Sequence, residues 1–214
     1  METRWVALDV GETLIDETRI WSTWADLLGI PAFTLMAALG AEVANDGDHR
    51  SAFEIAGVPS WENHWEDFER AYGGFQADDL YPDALPAVQA LCAAGYRVAI
   101  IANQPAIRGP ELRTLGFDPD VMAMSQEMGV YKPDPAFFAR VLELVGNPDP
   151  PAVAYVGDRV DNDVLPALGL GIRPVWIRRG PWGVIQKLPD TARDATMVVR
   201  SLTELVDRID DLWH

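Results

Sequence analysis

The chain has 214 residues, 49% hydrophobic and 23% charged, with a formal net charge of −16. This length buries a full core in one domain, or in one domain carrying an insertion. So acidic a balance argues against nucleic acid or an anionic membrane as the main partner, because binding them by counterion release needs lysine and arginine.

In chain order, residues 4–8 are an apolar run that predicts a buried strand and stops at a bare acid, Asp9. Residues 16–80 predict helices, since Trp21, Trp24 and Leu28 share one face, as do Trp61, Trp65, Phe68 and Tyr72. Packing between helices accounts for these aromatic stripes better than a ligand box does. The stretches 40–49 and 73–79 read as turns. Residues 84–94 are apolar at helical spacing and stop at Gly95. Strands follow at 96–101, 121–124, 152–156 and 172–177. Between them Asp134 caps, and Pro135 opens, a helix over 136–145, and Ser201 with Glu204 makes a capping box for the last helix.

Alternating strands and helices predict an α/β fold with a Rossmann-like parallel sheet. The connection between the first two strands is far longer than one crossover helix needs. Residues 1–15 and 81–214 are therefore read as the core and 16–80 as an inserted helical cap. Cys92, the single cysteine, excludes an intrachain disulfide and is expected as a reduced, buried thiol. With no charged-then-apolar leader and no bilayer-length apolar run, the expected location is the cytoplasm.

The chemistry gathers at strand ends. The first strand ends at Asp9, the second runs into Ala102-Asn103-Gln104, and 152–156 leads into Gly157-Asp158 with Asp163 close behind. Parallel sheets bind ligands beyond the carboxyl ends of their strands, near the switch in strand order. Asp9, Asp158 and Asp163 are expected to meet there, and clustered carboxylates persist by holding a cation. Oxygen ligands with few side chains suit Mg²⁺. Lys132, just before Pro133, reads either as a solvated surface residue or as the positive charge that an acidic protein needs opposite a phosphate.

Asp9 with Thr13, Asn103, Lys132-Pro133-Asp134-Pro135, and Gly157-Asp158 with Asp163 resemble the haloacid dehalogenase superfamily of hydrolases, over almost the whole chain. The helical insert resembles the cap of its first structural subclass. The resemblance implies a Mg²⁺-dependent phosphatase acting on a small phosphorylated metabolite. Asp9 would attack phosphorus and form an aspartyl-phosphate. The metal would be held by Asp9, the Gly11 carbonyl and Asp158, with Asp163 orienting its shell. Lys132 would balance Asp9 and the phosphate, Asn103 would contact substrate, and Thr13 would brace the loop.

Two positions depart from the family pattern. Phosphatases of this superfamily usually read Asp-x-Asp-Gly-Thr, with the second Asp as general acid–base, whereas this chain reads Asp9-Val10-Gly11-Glu12-Thr13. A lost acid–base group is typically worth ~10²–10⁴-fold in rate. Ala102 stands where the family usually has a phosphate-binding Ser or Thr. Three readings follow. In the first the chain is a phosphatase whose proton comes from Glu12, or from a cap residue such as His64; a solvent-facing turn residue is the alternative for Glu12. The second is a haloacid dehalogenase with Asp9 attacking carbon, which the retained Asp158 and Asp163 oppose. The third is a phosphate-ligand or protein-binding module without catalysis. His49 reads as a turn residue, His214 as terminal, and Arg178 and Arg179 as a surface pair, with substrate contact as the alternative.

Overall fold

Six parallel strands form the sheet in a computed structural model that describes residues 3–213. They are β1 (Trp5–Leu8), β2 (Arg97–Ala102), β3 (Val121–Met124), β4 (Val153–Gly157), β5 (Arg173–Ile177) and β6 (Met197–Val199), in the order β3-β2-β1-β4-β5-β6. The expected strands are there within a residue or so at each end; β6 was not foreseen. At three residues it is too short for periodicity to register.

Alternate residues along each strand face opposite layers, as the pleat requires. Val6, Leu8, Val98, Ile100, Ala154 and Val156 belong to one cluster, with α5 (Ala84–Ala93) and α12 (Leu202–Arg208). Ala7, Ala99, Ile101, Val153 and Tyr155 belong to the other, against α8 (Pro135–Leu144) and α9 (Leu165–Gly169). The remaining core helices are short: α6 (Arg108–Thr114), α7 (Ser125–Met128), α10 (Gly180–Ile185) and α11 (Asp190–Arg193).

Between β1 and α5 lie α1 (Thr18–Leu28), α2 (Ala32–Ala44), α3 (Ser51–Ile55) and α4 (Trp65–Tyr72). Their core is aromatic: the Trp24 ring stacks on Phe68 at 4.2 Å and meets Trp61 and Phe53 edge-on at 5.3 and 5.4 Å. Each such pair adds about 0.5–1.5 kcal/mol beyond its buried area. Trp65, the first residue of α4, stands at the solvent edge of this stripe and is partly exposed, its ring still 5.7 Å from Phe68 and 6.1 Å from Trp24.

The two chain connections to this insert run side by side. Asp16 N–H donates to the Asp79 carbonyl at 2.8 Å, and Tyr81 N–H to the Leu14 carbonyl at 3.0 Å. A second link is the buried Arg108 of α6, which donates to Glu69 of α4 at 2.6 Å and to Glu111 at 3.0 Å.

Several local expectations are corrected. Gly40 is not in a turn: α2 runs through it to Ala44. A mid-helix glycine costs about 1 kcal/mol relative to alanine, and the buried Leu35, Ala38, Leu39 and Val43 of the same helix offset it. Cys92 is exposed rather than buried, since α5 turns Ala87, Val88 and Leu91 to the core instead. The capping box at α12 is displaced by one residue. Ser201 Oγ accepts from Glu204 N–H at 3.0 Å, but the Glu204 carboxylate accepts from Arg200 N–H, at 2.8 Å. Asp134 caps α8 as expected, accepting from Ala136 N–H at 2.8 Å. Among the described residues no single helix is long and apolar enough to cross a membrane.

Candidate active site

The strand order reverses direction at β1 and β4, and that pair positions the first acids. Leu8 lies opposite Val156, and Asp9 N–H donates to the Val156 carbonyl at 2.9 Å. Asp9 and Asp158 thus leave neighbouring strands side by side, in the crevice where parallel sheets bind ligands. Asp163 comes from the turn of π-helix Val160–Val164, and its carboxylate accepts from Arg159 N–H at 2.9 Å. A Cβ at Gly157 would overlap the Asp163 carboxylate, so only glycine allows this approach. Ligand oxygens of Asp9, Asp158 and Asp163 all lie within 4.8 Å of one another, and all three residues are buried.

Lys132 is the cation of this cluster. Its Nζ lies 2.7 Å from Asp9 Oδ1 and 2.6 Å from Asp163 Oδ1. The ammonium rests over the rings of Phe137 and Tyr155, at 5.8 and 5.4 Å from their centroids. Asn103 fixes the lysine's backbone from both sides: its Nδ2 donates to the Lys132 carbonyl at 2.9 Å, and its Oδ1 accepts from Lys132 N–H at 2.8 Å. The side-chain amide of Asn103 thus positions Lys132, while Asn103 itself lines the cavity beside Asp9.

The charges do not balance. Three carboxylates and one ammonium leave two negative charges without a contact cation. Asp158 Oδ2 is buried with no hydrogen-bond partner. Burial, reinforced by Asp163 and Asp9, pushes the Asp158 pKa well above the carboxylate range. Burial likewise raises Asp163 to about 6, against the pull of Lys132. Burial disfavours the Lys132 charge, yet Asp163 and Asp9 together keep its pKa well above the ordinary value. The residues present fit a divalent cation: the donors are all oxygens, and one of them is orphaned.

The loop after β1 folds back on itself. Thr13, Leu14 and Ile15 N–H groups all donate to the Val10 carbonyl, and Ile15 bridges to Gly11. Glu12 sits in this loop at φ +49° and is buried, not solvent-facing. Its Oε2 accepts from the Tyr81 hydroxyl at 2.5 Å and its Oε1 from Glu17 N–H at 3.0 Å. A Cβ at Gly180 would overlap this carboxylate. Burial raises the Glu12 pKa despite the Tyr81 hydrogen bond. Thr13 braces the loop through its backbone only, since its buried hydroxyl has no partner.

Gly11 lines a cavity of about 130 Å³ that Asp9, Lys132, Asn103 and Asp158 also line. Other residues there were not foreseen: Glu17, His49, Gln104, Arg159, Asn162 and Trp182. Burial, with Glu12 and Asp9 behind it, pushes Glu17 up to about 8. Burial, with Arg159 behind it, holds His49 down at about 4. His49 reaches the site from the turn between α2 and α3, whereas His64 is exposed on the insert. Sequence spacing carries no signal for either placement, because both depend on how the insert docks.

Arg179 is neither a surface residue nor part of the cavity lining. It donates to both Asp83 oxygens, at 3.0 and 2.7 Å, and to the Thr13 carbonyl at 3.3 Å, tying the loop after β5 to the loop after β1. Arg178 is exposed and donates to the Gly183 carbonyl at 3.2 Å. His214 lies outside the described residues.

The family model for haloacid dehalogenase-like hydrolases matches residues 3–171 of the chain. A glyceraldehyde 3-phosphate phosphatase of Methanocaldococcus jannaschii is 36% identical over 135 residues, 62% of this chain. The matched stretch covers only 57% of that relative, so the chain spans about half the length of the curated protein it resembles. The HAD-hydrolase YfnB of Bacillus subtilis, solved with bound magnesium, shares the fold with a TM-score of 0.76 at 15% identity, covering 98% of this chain and all of that one. A 2-haloacid dehalogenase of Pseudomonas syringae pv. Tomato superposes with a TM-score of 0.64 at 21% identity, over 99% of this chain and 100% of its own. The fold is thus common to proteins named for two chemistries, and the choice between them rests on side chains.

Proposed function

The chain belongs to the haloacid dehalogenase-like hydrolases, and we propose that it is a magnesium-dependent phosphatase that hydrolyses a small phosphomonoester through an aspartyl-phosphate. One observation carries this reading: Asp158 Oδ2 is buried without a partner beside Asp9 and Asp163, in a cluster two positive charges short. A dehalogenase needs no metal and would leave that oxygen orphaned. A module that only bound ligand would have no use for a carboxylate held, as Asp9 is, 2.7 Å from a buried ammonium. The archaeal relative's name, a phosphatase of a small phosphorylated sugar, agrees.

Asp9, the Gly11 carbonyl and Asp158 would hold the metal, with Asp163 orienting its shell. Bound magnesium would supply charge neutralisation on the transferring phosphoryl group. Lys132 engages Asp9 Oδ1 and so leaves the other oxygen to attack phosphorus. Asp163 and Asp9 hold the Lys132 pKa above the ordinary value, which suits a positioning and neutralising group rather than an acid. Asn103 holds the Lys132 backbone at the required height. Ala102 offers no hydroxyl to phosphate, so that binding would fall to Lys132 and the metal.

Residues 16–80 would act as a cap over the cavity and select the leaving group. The cavity's modest volume, about 130 Å³, supports a small substrate. Phosphate release from a panel of phosphomonoesters, with and without Mg²⁺, tests the reading. Turnover that requires both Mg²⁺ and Asp9, and disappears in Asp9→Asn, is expected. Release that ignores chelation would remove the metal from the mechanism.

A further inference from the structure

We propose that Glu17 is the general acid–base residue of this site, occupying from position 17 the space that a side chain at position 11 would fill. This deepens the phosphatase reading and rests on it. An ideal Cβ built on Gly11 would clash with Glu17 Oε1 and stand 3.0 Å from Glu17 Cδ. The missing side chain has therefore not left a void: another carboxyl group sits in its volume.

The backbone explains how. The Gly11–Ile15 bridge folds the loop back within four residues, so the chain passes over Gly11 again before α1 begins at Thr18. Glu12 then anchors the return by accepting from Glu17 N–H at 3.0 Å. Glu17 lines the same cavity as Asp9 and Lys132, and its carboxyl accepts no hydrogen bond from the described residues. Glu12 cannot take the role from its present place, because Tyr81 and Glu17 N–H occupy its two oxygens and its carboxylate packs on Gly180. Glu12 is thus a positioning residue for Glu17. His64 lies on the exposed surface of the insert, away from the cavity.

The chemistry balances with this one group. As an Asp9 oxygen bonds to phosphorus and the ester P–O bond breaks, the Glu17 carboxyl gives its proton to the departing alkoxide, which leaves as the alcohol. A water then attacks the aspartyl-phosphate. Glu17, now a carboxylate, takes one proton from that water, the bond from phosphorus to Asp9 breaks, and inorganic phosphate and free Asp9 result.

The test compares Glu17→Gln with wild type on two esters of one shape, p-nitrophenyl phosphate and phenyl phosphate. The nitrophenolate leaves without a proton, whereas phenolate, like tyrosine, is protonated until about pH 10. In Glu17→Gln, kcat/KM for phenyl phosphate should fall by ~10²-fold or more while that for p-nitrophenyl phosphate changes little. The second step still needs a base, so nitrophenolate should appear as a burst of about one equivalent, with phosphate trapped on the acid-quenched protein.

Equal losses on both esters without a burst, or no loss at all, would overturn the role of Glu17 while leaving a phosphatase intact. Wild type that releases phosphate from neither ester would instead sink the phosphatase reading and Glu17 with it. A swap gives a second readout. Gly11→Asp alone should lose activity by collision with Glu17, yet in a Glu17→Ala background it should raise phenyl phosphate turnover at least ~10-fold over Glu17→Ala. A double variant no better than Glu17→Ala also overturns the placement.

Discussion

The strand-end pole and the helical insert bury opposite kinds of side chain. The pole buries Asp9, Lys132, Asp158 and Asp163, four ionisable groups. The insert buries Trp21, Trp24, Phe53, Phe68 and Tyr72. Charges removed from water need partners at fixed distances, and a hydrogen-bonded sheet supplies that rigidity. Stacked rings need only shape, so the insert can present changeable surfaces without a matching electrostatic frame. The lesson is a division of labour: under the proposed function the pole would carry the phosphoryl chemistry, and the insert would govern what reaches it.

The largest effect should come from the pole. Lys132→Met leaves Asp9 and Asp163 buried without their cation, and should cost about 3–5 kcal/mol in urea unfolding without metal, together with all turnover. A cost under about 1 kcal/mol would mean that the pole is not locked electrostatically. Trp24→Ala should lose about 3 kcal/mol through a cavity at the centre of the insert. Here the comparison predicts a different pattern, with amide exchange accelerated in 18–72 and much less in β1 and β4. Uniform acceleration would show that insert and sheet unfold as one unit.

Magnesium should stabilise the wild type by about 2.7 kcal/mol at a hundredfold excess over its dissociation constant. Asp158→Asn should abolish that response, yet raise metal-free stability by removing a carboxyl group whose ionisation burial, Asp163 and Asp9 all oppose. Thermal melts of both proteins, with Mg²⁺ and with chelator, read the two signs at once. An Asp158→Asn protein that still gains stability from Mg²⁺ would move the metal elsewhere. The smallest effect concerns the joint between the regions. Arg108→Ala removes the link from α6 to Glu69, and should cost about 1–2 kcal/mol because its partners are partly solvated. Scattering should show a wider separation of insert and core, with the sheet unchanged. Unaltered scattering would deny Arg108 the role of a latch.

Much of the pole was legible before any coordinates. Asp9 and Asp158 each stand at the end of an apolar run, and parallel strands deliver such residues to one edge. Lys132 was legible through its setting in Lys-Pro-Asp-Pro. The function of neighbours was less so. Asn103 was expected at substrate, and its hold on the Lys132 backbone was not visible in the sequence. Arg179 looked like a surface residue, but Asp83, nearly a hundred positions away, pairs with it. Partners that far apart in the chain leave no periodic trace.

The sequence by itself determined the alternation of strands and helices, the long insertion after β1 and the convergence of Asp9, Asp158 and Asp163. These follow from local periodicity and from the fixed direction of parallel strands. Only the tertiary structure decided what stands over Gly11. Glu17 arrives there because Glu12 adopts a left-handed φ, Ile15 pairs back to Gly11 and Tyr81 closes on Glu12. A single residue in αL, a conformation that costs a non-glycine residue roughly 1–2 kcal/mol, is chosen only when surrounding contacts repay it. The Tyr81 contact comes from where the chain re-enters the core after the insert, and nothing in residues 9–17 read alone reports it.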